Sequence, residues 1–138
     1  MHAVNMTWSA EHPEDYSGRV VGSGQCVAFV QACAGVPRTA EWRRGELVRS
    51  ITAHPTGLAI ATFDPNGRYG NHTDGRSHAA ILITRQDEGL LVWDQWAGHP
   101  VQQRLIRYRA GQGNAVNDGD RYHVIIDAAE SEAATITA

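Results

Sequence analysis

The chain has 138 residues, enough for one domain whose core needs no disulfide or metal staple. Its net charge is −3, and its twelve basic residues are all arginines, scattered without a basic run, which argues against nucleic acid or an anionic membrane as partner. Apolar and charged fractions of 42% and 20% are those of an ordinary soluble globule, and no apolar stretch approaches the ~20 residues of a membrane span.

Residues 1–15 are polar and read as an irregular arm or a short helix. They contain no positive segment followed by an apolar one, so the expectation is a chain made in the cytoplasm without a signal peptide. The stretch GSGQCVAFVQACAG (22–35) follows. Ser23 is placed to cap a helix, and Cys26, Phe29, Val30 and Cys33 fall at i, i+3, i+4 and i+7, a buried helical stripe. Gly35 and Pro37 end it. Thr39 can cap a second, shorter helix running through Trp42, Leu47 and Val48.

From Gly57 the texture changes to strands: GLAIATF (57–63), HAAILIT (78–84), LLVWDQW (90–96), VQQRLIRYR (101–109) and RYHVIID (121–127). A long polar loop, 64–77, separates the first two, and the short links RQDEG and AGHP favour antiparallel neighbours. Residues 128–138 read as a flexible tail. The expected architecture is a single α+β domain over 1–138, with N-terminal helices packed on an antiparallel sheet of about five strands.

The two cysteines lie seven residues apart on one helix, about 10.5 Å along its axis, whereas a disulfide needs Cα atoms within ~7 Å. They do not bridge, and the spacing is no zinc pattern. Cys33, deep in the helix, reads as a packing residue. Cys26 stands at the helix mouth, where free N–H groups and the positive end of the dipole favour a thiolate and can donate to an oxyanion. It reads equally as a nucleophile or as a small core residue. A nucleophile needs a base, and His78 stands out among seven histidines because it opens an apolar strand just after the loop. The next strand offers Asp94 and Gln95 to orient the imidazole. Alternation along the strand leaves open which of them shares the face of His78, and Asp94 is favoured because a carboxylate also stabilises an imidazolium.

Two rival readings use the same residues differently. His72, Asp74 and His78 have the right donor types for zinc, although a loop gives them no helical spacing to fix geometry. A non-catalytic binding module would use Trp93 and Trp96 as interface anchors.

Gly-Gln-Cys opening a helix, a histidine opening a strand, then VWDQW on the following strand resembles the NlpC/P60 and CHAP group of papain-like cysteine amidases and peptidases. Over residues 16–127 the chain is similar to compact members of that group linked to type VI secretion amidase effectors. The resemblance implies a papain-like fold and hydrolysis of an amide in the peptidoglycan stem peptide. Cys26 would be nucleophile, His78 base and Asp94 orienter; Gln25 would assist the oxyanion hole, and Gln95 would be the alternate orienter. It further implies no metal or cofactor, export by type VI secretion to a target periplasm, and a cognate immunity protein. Arg76, Arg68 and Trp96 are candidate substrate contacts, the arginines because stem peptides carry carboxylates that a guanidinium fork binds in pairs.

Overall fold

The structure is a computed structural model that describes residues 6–127; the expected tail and the first residues of the arm lie outside them. Among the described residues one α-helix, α1 (Cys26–Ala34), is followed by six strands: β1 (Trp42–Leu47), β2 (Leu58–Thr62), β3 (Ala79–Arg85), β4 (Gly89–Trp96), β5 (His99–Arg107) and β6 (Tyr122–Asp127). They form one antiparallel sheet in the order β1-β6-β2-β3-β4-β5. β2 to β5 run as a meander, and the chain then crosses back so that β6 pairs with β2 and carries β1 on its outer side. No helix among the described residues is long and apolar enough to cross a membrane.

Two expectations need correction. The helix begins at Cys26 rather than just after Ser23: Gln25 is the N-cap, with an extended backbone and no capping side-chain bond. Ser23 Oγ instead accepts from the Gln25 N–H at 3.3 Å. Gly35, at φ 72°, ends the helix in the left-handed conformation that glycine tolerates.

The second helix does not form, and a sixth strand stands in its place. Only Thr39–Glu41 makes a 3-10 turn before the chain extends as β1. Trp42, Leu47 and Val48 are five and six apart, which gives no helical stripe, and Gly45 weakens a helix further. Extended, the segment gains a ladder with β6 and buries Trp42 completely, its indole N–H donating to the Pro37 carbonyl at 2.8 Å.

Both faces of the sheet are covered. Phe29 and Val30 of α1 pack with Trp42, Ala59, Ala61, Ala79, Ile81 and Ile125. Leu58, Ile60, Leu82, Leu90, Val92 and Tyr122 form a second cluster with Val48 and Ile51. Alanines occupy the positions of β2 and β3 that share the cluster with α1. Small side chains there let the helix lie close to the strands, and its first turn reaches the end of β3.

Gly45→Ala tests the strand assignment by sign. A Cβ at 45 would lie 2.6 Å from the Val124 carbonyl oxygen and 2.9 Å from Ile126 Cγ2, so the substitution must push β1 off β6. The expected loss is ~1–3 kcal/mol, measured by urea denaturation. Were 42–47 helical, the same change would stabilise the protein by ~1 kcal/mol.

Candidate active site

Cys26 is the first residue of α1, with no side chain occupying the N–H groups of the first turn. Its sulfur lies 3.6 Å from the Tyr69 hydroxyl. Tyr69 is buried on the loop after β2, its ring 4.8 Å from that of Trp42 and 6.4 Å from that of Phe63. The His78 imidazole and the backbone of Ala79 also lie near enough to the thiol to lower its pKa.

His78 sits immediately before β3, its main chain fastened to the end of β2. Its N–H donates to Thr62 Oγ1 at 3.0 Å, its carbonyl accepts from the Thr62 N–H at 3.0 Å, and the Thr62 hydroxyl donates to the Arg76 carbonyl at 2.9 Å. Its Nε2 is 2.8 Å from Asp94 Oδ2, which leaves Nδ1 for the thiol. Arg104 completes the arrangement from β5: Nε and Nη2 both donate to the same oxygen, Asp94 Oδ2, at 2.9 and 2.7 Å. The guanidinium also lies 5.0 Å over the Trp96 ring, and that ring meets His78 edge-on at 6.2 Å.

Asp94 and Gln95 are consecutive on β4 and point apart, as strand pleating requires. Asp94 faces His78. Gln95, fully buried, holds the turn ahead of the helix: Oε1 accepts from the Val21 N–H at 2.9 Å, and Nε2 donates to the carbonyls of Val21 and Gln25, both at 2.8 Å. Gln95 therefore positions the cysteine turn rather than the histidine.

These groups open on a cleft of about 820 Å³ whose walls include Gln25, Cys26, Tyr69, His72, His78, Trp96 and Arg104. Arg76 and Arg68 are not part of those walls. Arg76 is exposed and bound through Nε to both oxygens of Asp74 at 2.9 Å, and Arg68 lies against β1 as an isolated bridge to Arg43. The guanidinium that faces the cleft is Arg104, which sequence reasoning missed. A signal existed in hindsight: Asp94 pairs with Gln102, and Arg104 is the next β5 residue on that face, within diagonal reach. Tyr69 and Thr62 gave no such signal.

The zinc candidates do not converge. His72 is bound to Asp64, Asp74 to Arg76 and His78 to Asp94. Among the described residues no three His, Cys, Asp or Glu side chains gather in a way that could hold a metal.

Electrostatics follow the geometry. Burial pushes the Cys26 thiol up, but its bond to His78, the charge of His78 and the Tyr69 and Ala79 contacts outweigh it, and the net shift is downward. Burial lowers His78, yet the Asp94 carboxylate and the Cys26 sulfur raise it to about 9. Burial likewise raises Asp94, while His78 and Arg104 bring it below its ordinary value. All three shifts favour a thiolate, an imidazolium and a carboxylate standing together. Cys33 has no such partners among the described residues, and burial pushes it up to about 12.

Comparison with known proteins gives these groups a family. A family model described as Domesticated amidase effector 2 matches residues 1–125. A curated relative of that name from Ixodes scapularis is 36% identical over 121 residues, covering 82% of this chain and 80% of its own. The solved structure of Type 6 secretion amidase effector 2 (Tae2) superposes with a TM-score of 0.71 at 28% identity, over 85% of this chain and 92% of that one. The chain belongs to the domesticated amidase effector 2 family and has a Tae2-like fold.

Iodoacetamide checks the electrostatic account. At pH 7 Cys26 should be alkylated well ahead of Cys33. Arg104→Met removes two donors from a buried carboxylate, each worth ~1.5–3 kcal/mol, so Asp94 rises, His78 loses its proton more readily and Cys26 labelling slows about tenfold or more. Equal labelling of the two cysteines, or no effect of the substitution, contradicts it.

Proposed function

We propose that this protein is a cysteine amidase that cleaves an amide bond in the stem peptide of peptidoglycan, with a papain-like catalytic layout. The observation that carries the proposal is the hydrogen-bonded series from Arg104 through Asp94 to His78, set beside Cys26 at a helix mouth, where His78 lowers the thiol's pKa.

In this reading the Cys26 thiolate attacks the amide carbonyl carbon. Charge moves onto the oxygen, where the uncapped N–H groups of the first turn of α1, that of Cys26 included, can donate to it. Tyr69, which burial keeps protonated, holds a second O–H donor beside the sulfur. As the C–N bond breaks, Nδ1–H of His78 protonates the leaving amine, and a thioester remains on Cys26. The now neutral imidazole takes a proton from water, which attacks the thioester; the product carboxylic acid leaves and the ion pair is restored. Asp94 keeps the ring oriented and offsets its positive charge, without taking its proton. Gln95 holds Val21 and Gln25, and so the approach to Cys26, in place.

The substrate class rests on the amidase effector family and on the resemblance to cell-wall amidases. Type VI delivery into a target periplasm, and a cognate immunity protein that covers the cleft, extend the reading from the name carried by the solved structure.

Digestion of purified sacculi by the wild-type protein should release fragments bearing one new amine and one new carboxyl, identified by mass spectrometry. Cys26→Ala should release none and still fold, because truncating one small side chain at a helix mouth leaves the core intact. Cys33→Ala should remain active, and EDTA should have no effect. An active Cys26→Ala, or EDTA inactivation reversed by zinc, rejects the mechanism.

A further inference from the structure

His72, on the cleft wall, belongs to a second histidine–carboxylate pair that the proposed reaction does not use. On the loop between β2 and β3, His72 Nε2 lies 2.9 Å from Asp64 Oδ2, and the His72 N–H donates to Ser77 Oγ at 2.8 Å. Asp64 is itself fixed in a turn, its N–H donating to the Arg68 carbonyl at 2.9 Å and its carbonyl accepting from the Gly67 N–H at 2.8 Å. The pair lies directly over Gly70, where a Cβ would collide with both Asp64 Oδ2 and His72 Nε2. Gly70 has no positive φ, so glycine serves there to leave space for the pair.

The chemistry of the pair fixes what the ring presents. A carboxylate only accepts, so whenever this imidazole is neutral its proton sits on Nε2 and Nδ1 is an acceptor. No group among the described residues bonds Nδ1, and the side chain is about a quarter exposed, on the wall that also holds Cys26, Tyr69 and Ser77. That wall contains no carboxylate. An extended peptide brings N–H as well as C=O groups into the cleft. The helix mouth supplies donors for the carbonyl, and His72 supplies an acceptor on a rigid mount.

We infer that His72, held by Asp64 over Gly70, is a substrate-binding residue whose Nδ1 accepts a peptide N–H close to the scissile amide. The inference rests on the stem-peptide reading above. The test uses the full chain and synthetic stem peptides in which each amide N–H beside the scissile bond is methylated in turn. His72→Ala should raise KM about three- to tenfold, the worth of one neutral hydrogen bond, with kcat changed less than twofold and Cys26 alkylation unchanged. Gly70→Ala, which displaces the pair, should do the same. One methylation should raise the wild-type KM by a similar factor and have no further effect on His72→Ala. An unchanged KM in His72→Ala overturns the inference, as does a methylation penalty that multiplies with the substitution for every peptide, the mark of a loop staple alone. Wild-type protein that cleaves no stem peptide overturns the proposed function instead.

Discussion

One carboxylate oxygen organises the cleft. Asp94 Oδ2 is buried and accepts from His78 and from both Nε and Nη2 of Arg104. An isolated carboxylate in that position would be strongly disfavoured and would take up a proton. Three charge-assisted bonds hold its pKa below the ordinary carboxylate value, its charge helps raise that of His78, and His78 in turn lowers that of the Cys26 thiol. Arginine suits the outer end of this series better than lysine. Its fork places two donors on one oxygen while its flat face rests over Trp96, and it does not deprotonate.

The fold contributes by bringing remote segments into register. Alanines on β2 and β3 let α1 sit close to the sheet, and Thr62 ties the main chain of His78 to β2. Gln95 ties the glycine turn to β4 from the side opposite Asp94. Neighbouring residues of a single strand thus hold the two halves of the site, the histidine on one face and the cysteine turn on the other. The left-handed backbone of Gly22 and Gly24, at φ 56° and 84°, makes that turn possible.

Much of this was legible in the sequence, where local rules apply. The Cys26 helix, five of the strands and the long loop follow from periodicity and turn residues, and Cys26 and His78 stood out by their places at element ends. What the sequence left open depends on pairing. The choice between Asp94 and Gln95 turns on a register shift between Leu82 and Thr84 in the β3–β4 ladder, which counting back across a hairpin does not see. Arg104 reaches Asp94 only because β4 and β5 pair as they do, and Tyr69 reaches Cys26 only because its loop folds between Trp42 and Phe63. The same limit applies to Trp42–Leu47, whose strand form depends on β6, about eighty residues further along.

The series of charges also gives the protein a defined pH window. His78 has a folded pKa of about 9 against an ordinary value near 6.5, so its proton is secure below that ordinary value and is lost as pH rises through 9. Nitrogen-15 NMR of the His78 imidazole in the intact protein measures this directly. The account predicts a doubly protonated ring at pH 7.5 that titrates near pH 9. A neutral ring at pH 7.5, with its single proton on Nε2 facing Asp94, would contradict it.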